Sequence, residues 1–199
     1  MWIAIAGTHR NGKTTLAEAI AQARPDFEVV PEPYEQLLEQ GEDFLDHYAP
    51  ETFTRQLEHQ VSCLSRGVPC DNVVFDRSPL DFLAYLAAID GTAGWGAIGH
   101  DVLELAAFGL QRLDLIAWLP LSEEKGDEHG RPFRRLVDDR LRDLVVSDPL
   151  SLLSEPKPDL LELRGSTPKR LATLFQYLDR ALLDDSEQAD PSTTESDCV

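Results

Sequence analysis

Apolar residues along the chain fall into short runs separated by longer stretches of helical period. Trp2 to Ala6, Phe27 to Val30, Asn72 to Asp76, Leu113 to Leu121 and Asp159 to Leu163 have the length of buried strands. Between them, residues 34–48 and 51–66 set Leu37, Leu38, Phe53, Leu57, Val61 and Leu64 at helical spacing. Residues 80–89 and 101–112 read as helices too, and Leu16 and Ile20 share one face of an Ala-rich helix former after the first run. A polar stretch from Ser122 to Pro132 precedes a charged helix ending near Val146. Gly91 to Gly99 holds four glycines and reads as a mobile connection. Gly165-Ser166-Thr167-Pro168 turns into a last helix through Leu183, with Ser166 or Thr167 as N-cap and Pro168 at the first helical position.

Strands alternating with helices predict an α/β fold, a mostly parallel five-stranded sheet with helices on both faces. Ligands of such sheets lie beyond the carboxyl ends of the strands. The polar segments fall there: Gly7 to Thr15 after the first run, Glu32 after the second, Asp76-Arg77 after the third, an arginine-rich segment after the fourth and Gly165 to Pro168 after the fifth.

The first segment, G-T-H-R-N-G-K-T-T, fits the phosphate-loop pattern G-x-x-x-x-G-K-[ST] between a strand and a helix. Its backbone N–H groups and the helix N-terminus are suited to phosphate oxygens. Gly7 and Gly12 allow a close approach, Lys13 brings charge to the β- and γ-phosphates, and the Thr14 hydroxyl suits Mg²⁺. With Asn11 and Thr15 these are the candidate nucleotide-binding residues.

Asp76 closes an apolar run, where a carboxylate can hold Mg²⁺, the reading favoured beside the phosphate loop; the alternative is that it or Ser78 starts the helix before Pro79. Arg77 stands where hydrolysing motor ATPases usually place a Glu to orient water, and a cation cannot do that work. The segment therefore points to phosphoryl transfer onto a bound acceptor. Glu32, stiffened between Pro31 and Pro33, is the candidate to orient the acceptor hydroxyl, or else a solvated loop residue. Residues 131–142 carry five arginines, read as a lid over about 122–146 with Arg131 and Arg135 reaching the phosphates, or as a salt-bridged solvated helix. Gln56 or Gln60 is the candidate to read an acceptor's polar edge.

The chain has 199 residues and a net charge of −18, which argues against a nucleic-acid partner. Six of its acids and no base lie between Asp184 and Val199, so 184–199 is expected to be a disordered, solvated tail and 1–183 the folded domain. No apolar run has membrane-spanning length, and the first one is too short for a signal peptide. Three cysteines without metal-type spacing suit a reducing cytoplasm. A monomer and a homodimer both fit the sequence.

Gly7 to Thr15, Pro31-Glu32-Pro33, Asp76-Arg77-Ser78-Pro79, the arginine-rich segment and Leu163-Arg164-Gly165-Ser166 together resemble the P-loop kinases, with a likeness to deoxynucleoside kinases and the ribosylnicotinamide kinase domain. The resemblance implies a P-loop NTPase three-layer sandwich, ATP and Mg²⁺ as cofactors, and a small-molecule phosphate acceptor. It further implies Glu32 as base, Arg77 in the family's arginine position, and Gly165 and Thr167 against adenine. Asp76 stands where deoxynucleoside kinases carry Glu, and neither Gln56 nor Gln60 aligns cleanly with their substrate-reading Gln. A nucleoside kinase is thus the first expectation. A nucleoside monophosphate kinase using Arg55 or Arg66, a slow nucleotide-binding switch and an antibiotic or metabolite kinase are the alternatives.

Overall fold

A computed structural model describes residues 1–66, 70–89, 91, 94–121, 131–153 and 158–188, with backbone alone for Arg131 and residues 182–188. Its strands are β1 (Trp2–Ala6), β2 (Phe27–Val30), β3 (Asn72–Asp76), β4 (Leu115–Trp118) and β5 (Asp159–Glu162). Its helices are α1 (Lys13–Ala23), α2 (Pro33–Glu39), α3 (Pro50–Arg66), α4 (Pro79–Ile89), α5 (His100–Leu110), α6 (Arg131–Ser147) and α7 (Thr167–Gln188). The sheet runs β2-β3-β1-β4-β5 and every pairing is parallel. Parallel neighbours need crossover connections, and the helices supply them on both faces.

Register sorts the strand residues into two cores. Ile3 pairs with Val74 and Leu115, so these share the face under α1 and α7 with Leu16, Ile20, Leu174 and Leu178. Ala4 pairs with Phe75 and Ile116 on the opposite face, packed by α3, α4, α5 and α6. Small Ala4 and Ala6 leave room there for α4, which is buried all round from Pro79 to Ala88, as expected of an apolar helix at the centre of a layer. Gly109 brings α5 close: a Cβ there would lie 2.9 Å from Val61 Cγ2 and 3.2 Å from Pro79 Cγ.

Four boundaries differ from the periodicity. The helix expected over 34–48 stops at Glu39, because Gly41 (φ 89°) turns the chain in a Schellman-type cap, with Gly41 N–H on Leu38 O and Glu42 N–H on Leu37 O. β4 is shorter than its apolar run, which continues through Leu119, whose N–H still donates to Ala6 O at 2.8 Å, to Pro120. Within Gly91 to Gly99, residues 94–97 form a turn of 3₁₀ helix. The last helix continues to Gln188, so the first residues of the expected acidic tail are helical and 189–199 lie outside the described residues. Ser166 O accepts the Arg170 N–H, making Ser166 the N-cap and Pro168 the second helical residue.

Candidate active site

The glycine loop leaves β1 at Ala6 and enters α1 at Lys13. Gly7 passes so close to the end of β4 that a Cβ would lie 2.9 Å from Leu119 O. Asn11 Nδ2 donates to that same carbonyl at 2.6 Å. Gly12 (φ 81°) takes the left-handed turn that starts α1. From below, Arg170 of α7 donates Nη1 to Asn11 O at 2.8 Å. Thr167 thus stands one turn before an arginine that touches the loop, and Gly165 lies in the turn that leads into that helix. The loop is held from three sides, the preorganisation that an anion-binding nest needs.

Lys13 is buried, and its Nζ donates to Thr8 O at 3.1 Å. Burial and the Arg77 charge lower its pKa to about 8, against the opposing pull of Asp81, Glu32 and Asp76. All three carboxylates therefore lie within electrostatic reach of this amine. Thr14 and Thr15 remain exposed at the start of α1. Thr14 Oγ1 donates to Asp76 Oδ2 at 2.5 Å.

Asp76 pairs in register with Ile5, which turns it toward α1. It is 2% exposed, and its Oδ1 has no hydrogen-bond partner among the described residues. Burial raises its pKa, opposed by Lys13 and the Thr14 bond. An orphaned carboxylate oxygen beside a hydroxyl is a hard-oxygen pair of the kind Mg²⁺ takes, so these residues fit the ion.

Arg77 follows with φ 103°, a conformation costly for a non-glycine residue. Gln60 donates to its carbonyl, and its guanidinium has three anchors. Nε donates to Glu32 Oε1 at 2.5 Å, Nη1 lies 3.7 Å from Asp81 Oδ1, and the Tyr85 ring centroid is 5.3 Å away. Burial opposes its charge, and Tyr85, Glu32 and Asp81 outweigh burial, so its pKa is raised and it stays a cation. For Glu32, burial raises the pKa but the Arg77 and Lys13 charges and the Arg77 bond together lower it, so the carboxylate is ionised at neutral pH. Glu32 is the residue on which α2 starts, with Pro33 at its first position.

Glu32 and Arg77 border a cleft of about 500 Å³, which Tyr34, Gln56, His9 and Tyr85 also line. Phe53 stacks on Tyr85 at 4.6 Å, and Tyr34 stacks on Phe44 at 5.2 Å. Of the two glutamines expected to read an acceptor, Gln56 lines the cleft while Gln60 holds the Arg77 carbonyl. Neither arginine expected to hold an acceptor phosphate is there. Arg55 is spent on Glu42 and Glu58, and Arg66 is exposed at the end of α3.

Residues 122–130 and the Arg131 side chain lie outside the described residues. Arg135 is exposed, whereas Arg134 is 3% exposed, with Nε and Nη2 lacking partners among the described residues. Its charge helps lower the pKa of His9, so it lies toward the cleft. The stripe that buries α6, Val137, Leu141 and Leu144, continues back by one turn onto Arg134, a signal present in the spacing. Phe133 joins this helix to the cleft against Tyr85 and Tyr48.

Asp81 was not among the expected residues. It is fully buried, and it accepts the Gly7 N–H at 2.8 Å on Oδ1 and the Ser78 N–H at 2.9 Å on Oδ2. One carboxylate thus ties the glycine loop to the turn after β3. Among the described residues no helix is long and apolar enough to cross a membrane.

A family model described as an AAA domain matches residues 2–156. No curated protein matches the chain in sequence. Among solved structures, the fold is similar to a thymidylate kinase from Candida albicans, 15% identical, TM-score 0.56, covering 90% of this chain and 91% of that one. It is similar to a deoxyadenosine kinase from M. mycoides with dCMP and dCDP bound, 15% identical, TM-score 0.61, covering 90% and 100%. It is also similar to NadR in complex with NAD and AMP-PNP, 16% identical, TM-score 0.66, covering all of this chain and 51% of that one, so the chain spans about half of NadR. At these identities the likeness establishes the P-loop NTPase fold of the nucleoside kinases, the group the motifs resemble.

Proposed function

The chain belongs to this AAA-domain family, and we propose that it transfers the γ-phosphoryl group of ATP to a hydroxyl of a small, nucleoside-like acceptor. One observation carries the reading. Glu32, ionised and locked by Arg77, faces a cleft of small-molecule size within electrostatic reach of Lys13. A carboxylate aimed into such a cleft suits an organic hydroxyl, and Arg77 in the place after Asp76 offers nothing to orient a hydrolytic water.

The loop amides and Lys13 would hold the β- and γ-phosphates. Thr14 and Asp76 would hold Mg²⁺, which when bound neutralises charge on those phosphates. Glu32 would accept or align the hydroxyl proton. Its lowered pKa makes it a weak base, but phosphoryl transfer has a loose transition state in which aim matters more than basicity. Arg77 keeps that aim, and Arg134 would supply positive charge to the group in flight. In this reading the described part of the arginine-rich segment, 131–146, belongs to the lid, the turn from Gly165 to Thr167 lies against adenine, and the enzyme acts on a diffusible compound in the cytoplasm.

The test is a panel of nucleosides, nucleotides and sugar alcohols incubated with the protein and Mg-ATP while ADP release is followed. Release is expected to depend on one class of acceptor. Glu32→Gln is expected to keep ATP binding by calorimetry and to lower kcat by about 10²–10⁴-fold. ADP release indifferent to every acceptor, with Glu32→Gln matching the wild type, would replace this reading with a nucleotide-binding switch.

A further inference from the structure

One side chain of the glycine loop has no part in holding phosphate or metal. His9 donates its backbone N–H to the Tyr85 hydroxyl at 2.9 Å, and its ring Nδ1 lies 2.9 Å from the same oxygen. Tyr85 is buried, stacked on Phe53 and covered by the Arg77 guanidinium, so the position of that oxygen is fixed. A backbone N–H can only donate, so the phenolic oxygen accepts there. The phenol's own proton is then free for the second contact; donated to Nδ1, it leaves the ring proton on Nε2. Nε2, across the ring, has no partner among the described residues, and His9 lines the cleft that Glu32 borders. Burial, followed by the charges of Arg134, Arg77, Lys13 and Arg10, holds the imidazole pKa down at about 4, so the ring is neutral at pH 7.

We propose that His9 determines acceptor specificity: Tyr85 fixes its imidazole as the Nε2–H tautomer, and that N–H donates to a second oxygen of the acceptor while Glu32 holds the reacting hydroxyl. The inference rests on the kinase reading of this same site. It assigns the acceptor to hydroxyl compounds that present a neutral or anionic oxygen near the phosphorylated hydroxyl, as a sugar does. Cationic amines are disfavoured, since Arg10 and Arg77 line the cleft and Arg134 lies beside it.

Two measurements on the full chain test this. In the wild type labelled with ¹⁵N-histidine, the ring resonance that disappears in His9→Gln is expected to report the neutral Nε2–H tautomer, and Tyr85→Phe to convert it to a tautomer mixture. Nδ1–H or a protonated ring in the wild type overturns the proposal. In kinetics with an acceptor from the panel, His9→Ala is expected to raise the acceptor KM about tenfold, the scale of one lost hydrogen bond, with the ATP KM within about twofold. His9→Gln, which keeps a side-chain N–H, is expected to restore most of the loss. An unchanged acceptor KM in His9→Ala, or an ATP KM that rises in step, overturns it. Wild-type protein that phosphorylates nothing removes the kinase reading and this inference together, whereas normal wild-type transfer with an indifferent His9→Ala removes this inference alone.

Discussion

At the scale of single residues, Asp81 shows how a local cap becomes a long-range tie. Ser78 Oγ accepts the Leu80 N–H at 3.0 Å, and Asp81 Oδ2 accepts the Ser78 N–H, a reciprocal cap at the start of α4. That much is readable in Ser78-Pro79-Leu80-Asp81, where a hydroxyl and an acid stand three apart before an apolar helix. The other oxygen reaches Gly7, 74 residues away. Nothing local in the sequence announces that bond, because it depends on β1 and β3 lying side by side. Burial raises the Asp81 pKa, against Arg77, Lys13 and the two backbone donors. Asp81→Asn keeps the volume but turns an NH₂ toward one of those donors and leaves Arg77 and Lys13 less compensated. The expected cost is about 3 kcal/mol, read as a Tm lower by roughly 6–12 °C, together with weaker ATP binding through Gly7. A variant melting within a degree of the wild type would show that Asp81 does not hold the loop.

At the scale of elements, α6 separates two arginines that the sequence presents as near-equals. Arg134 lies on the buried stripe with Val137 and Leu141, and Arg135 lies about 100° further round, in solvent. A buried guanidinium whose N–H groups find no partner among the described residues is costly unless something anionic completes it. Arg134→Gln is therefore expected to lower kcat by about 10³-fold, within the range of an arginine that stabilises transferring charge, while Arg135→Gln stays within about twofold of the wild type under the same assay. Thermal melts should show Arg134→Gln no less stable, since it removes an uncompensated buried charge. Equal effects of the two substitutions would count against a phosphate role for Arg134. The strands and most helices were legible because buried runs and amphipathic stripes carry their own period. Where the helix bounds differ from the periodicity, a non-periodic cause intervened, as with Gly41 ending α2.

At the scale of the whole molecule, the site sets Lys13, Arg10, Arg77 and Arg134 near His9 and the carboxylates of Glu32, Asp76 and Asp81, and their burial and mutual charges make stability depend on pH. His9 titrates at about 4 in the folded state against an ordinary value of 6.5. Between those values the unfolded chain binds the extra proton, so the His9 contribution is present above pH 6.5 and is lost as pH falls through 4. Lys13 has the same sign at the other end. Its pKa of about 8 lies below the ordinary 10.5, so its contribution to stability grows as pH rises from 8 to 10.5. Glu32, with its pKa lowered, also loses stability in acid, whereas the raised Asp76 and Asp81 act in the opposite direction. The wild-type acid limb is thus a sum of opposing titrations. Comparison with His9→Gln isolates one of them, because glutamine does not titrate and the carboxylates are common to both proteins. Between pH 7 and 4.5 the wild type is expected to lose more stability than His9→Gln, measured by urea unfolding at each pH. Parallel curves would mean that burial and the neighbouring charges of Arg134, Arg77, Lys13 and Arg10 do not hold the His9 pKa down.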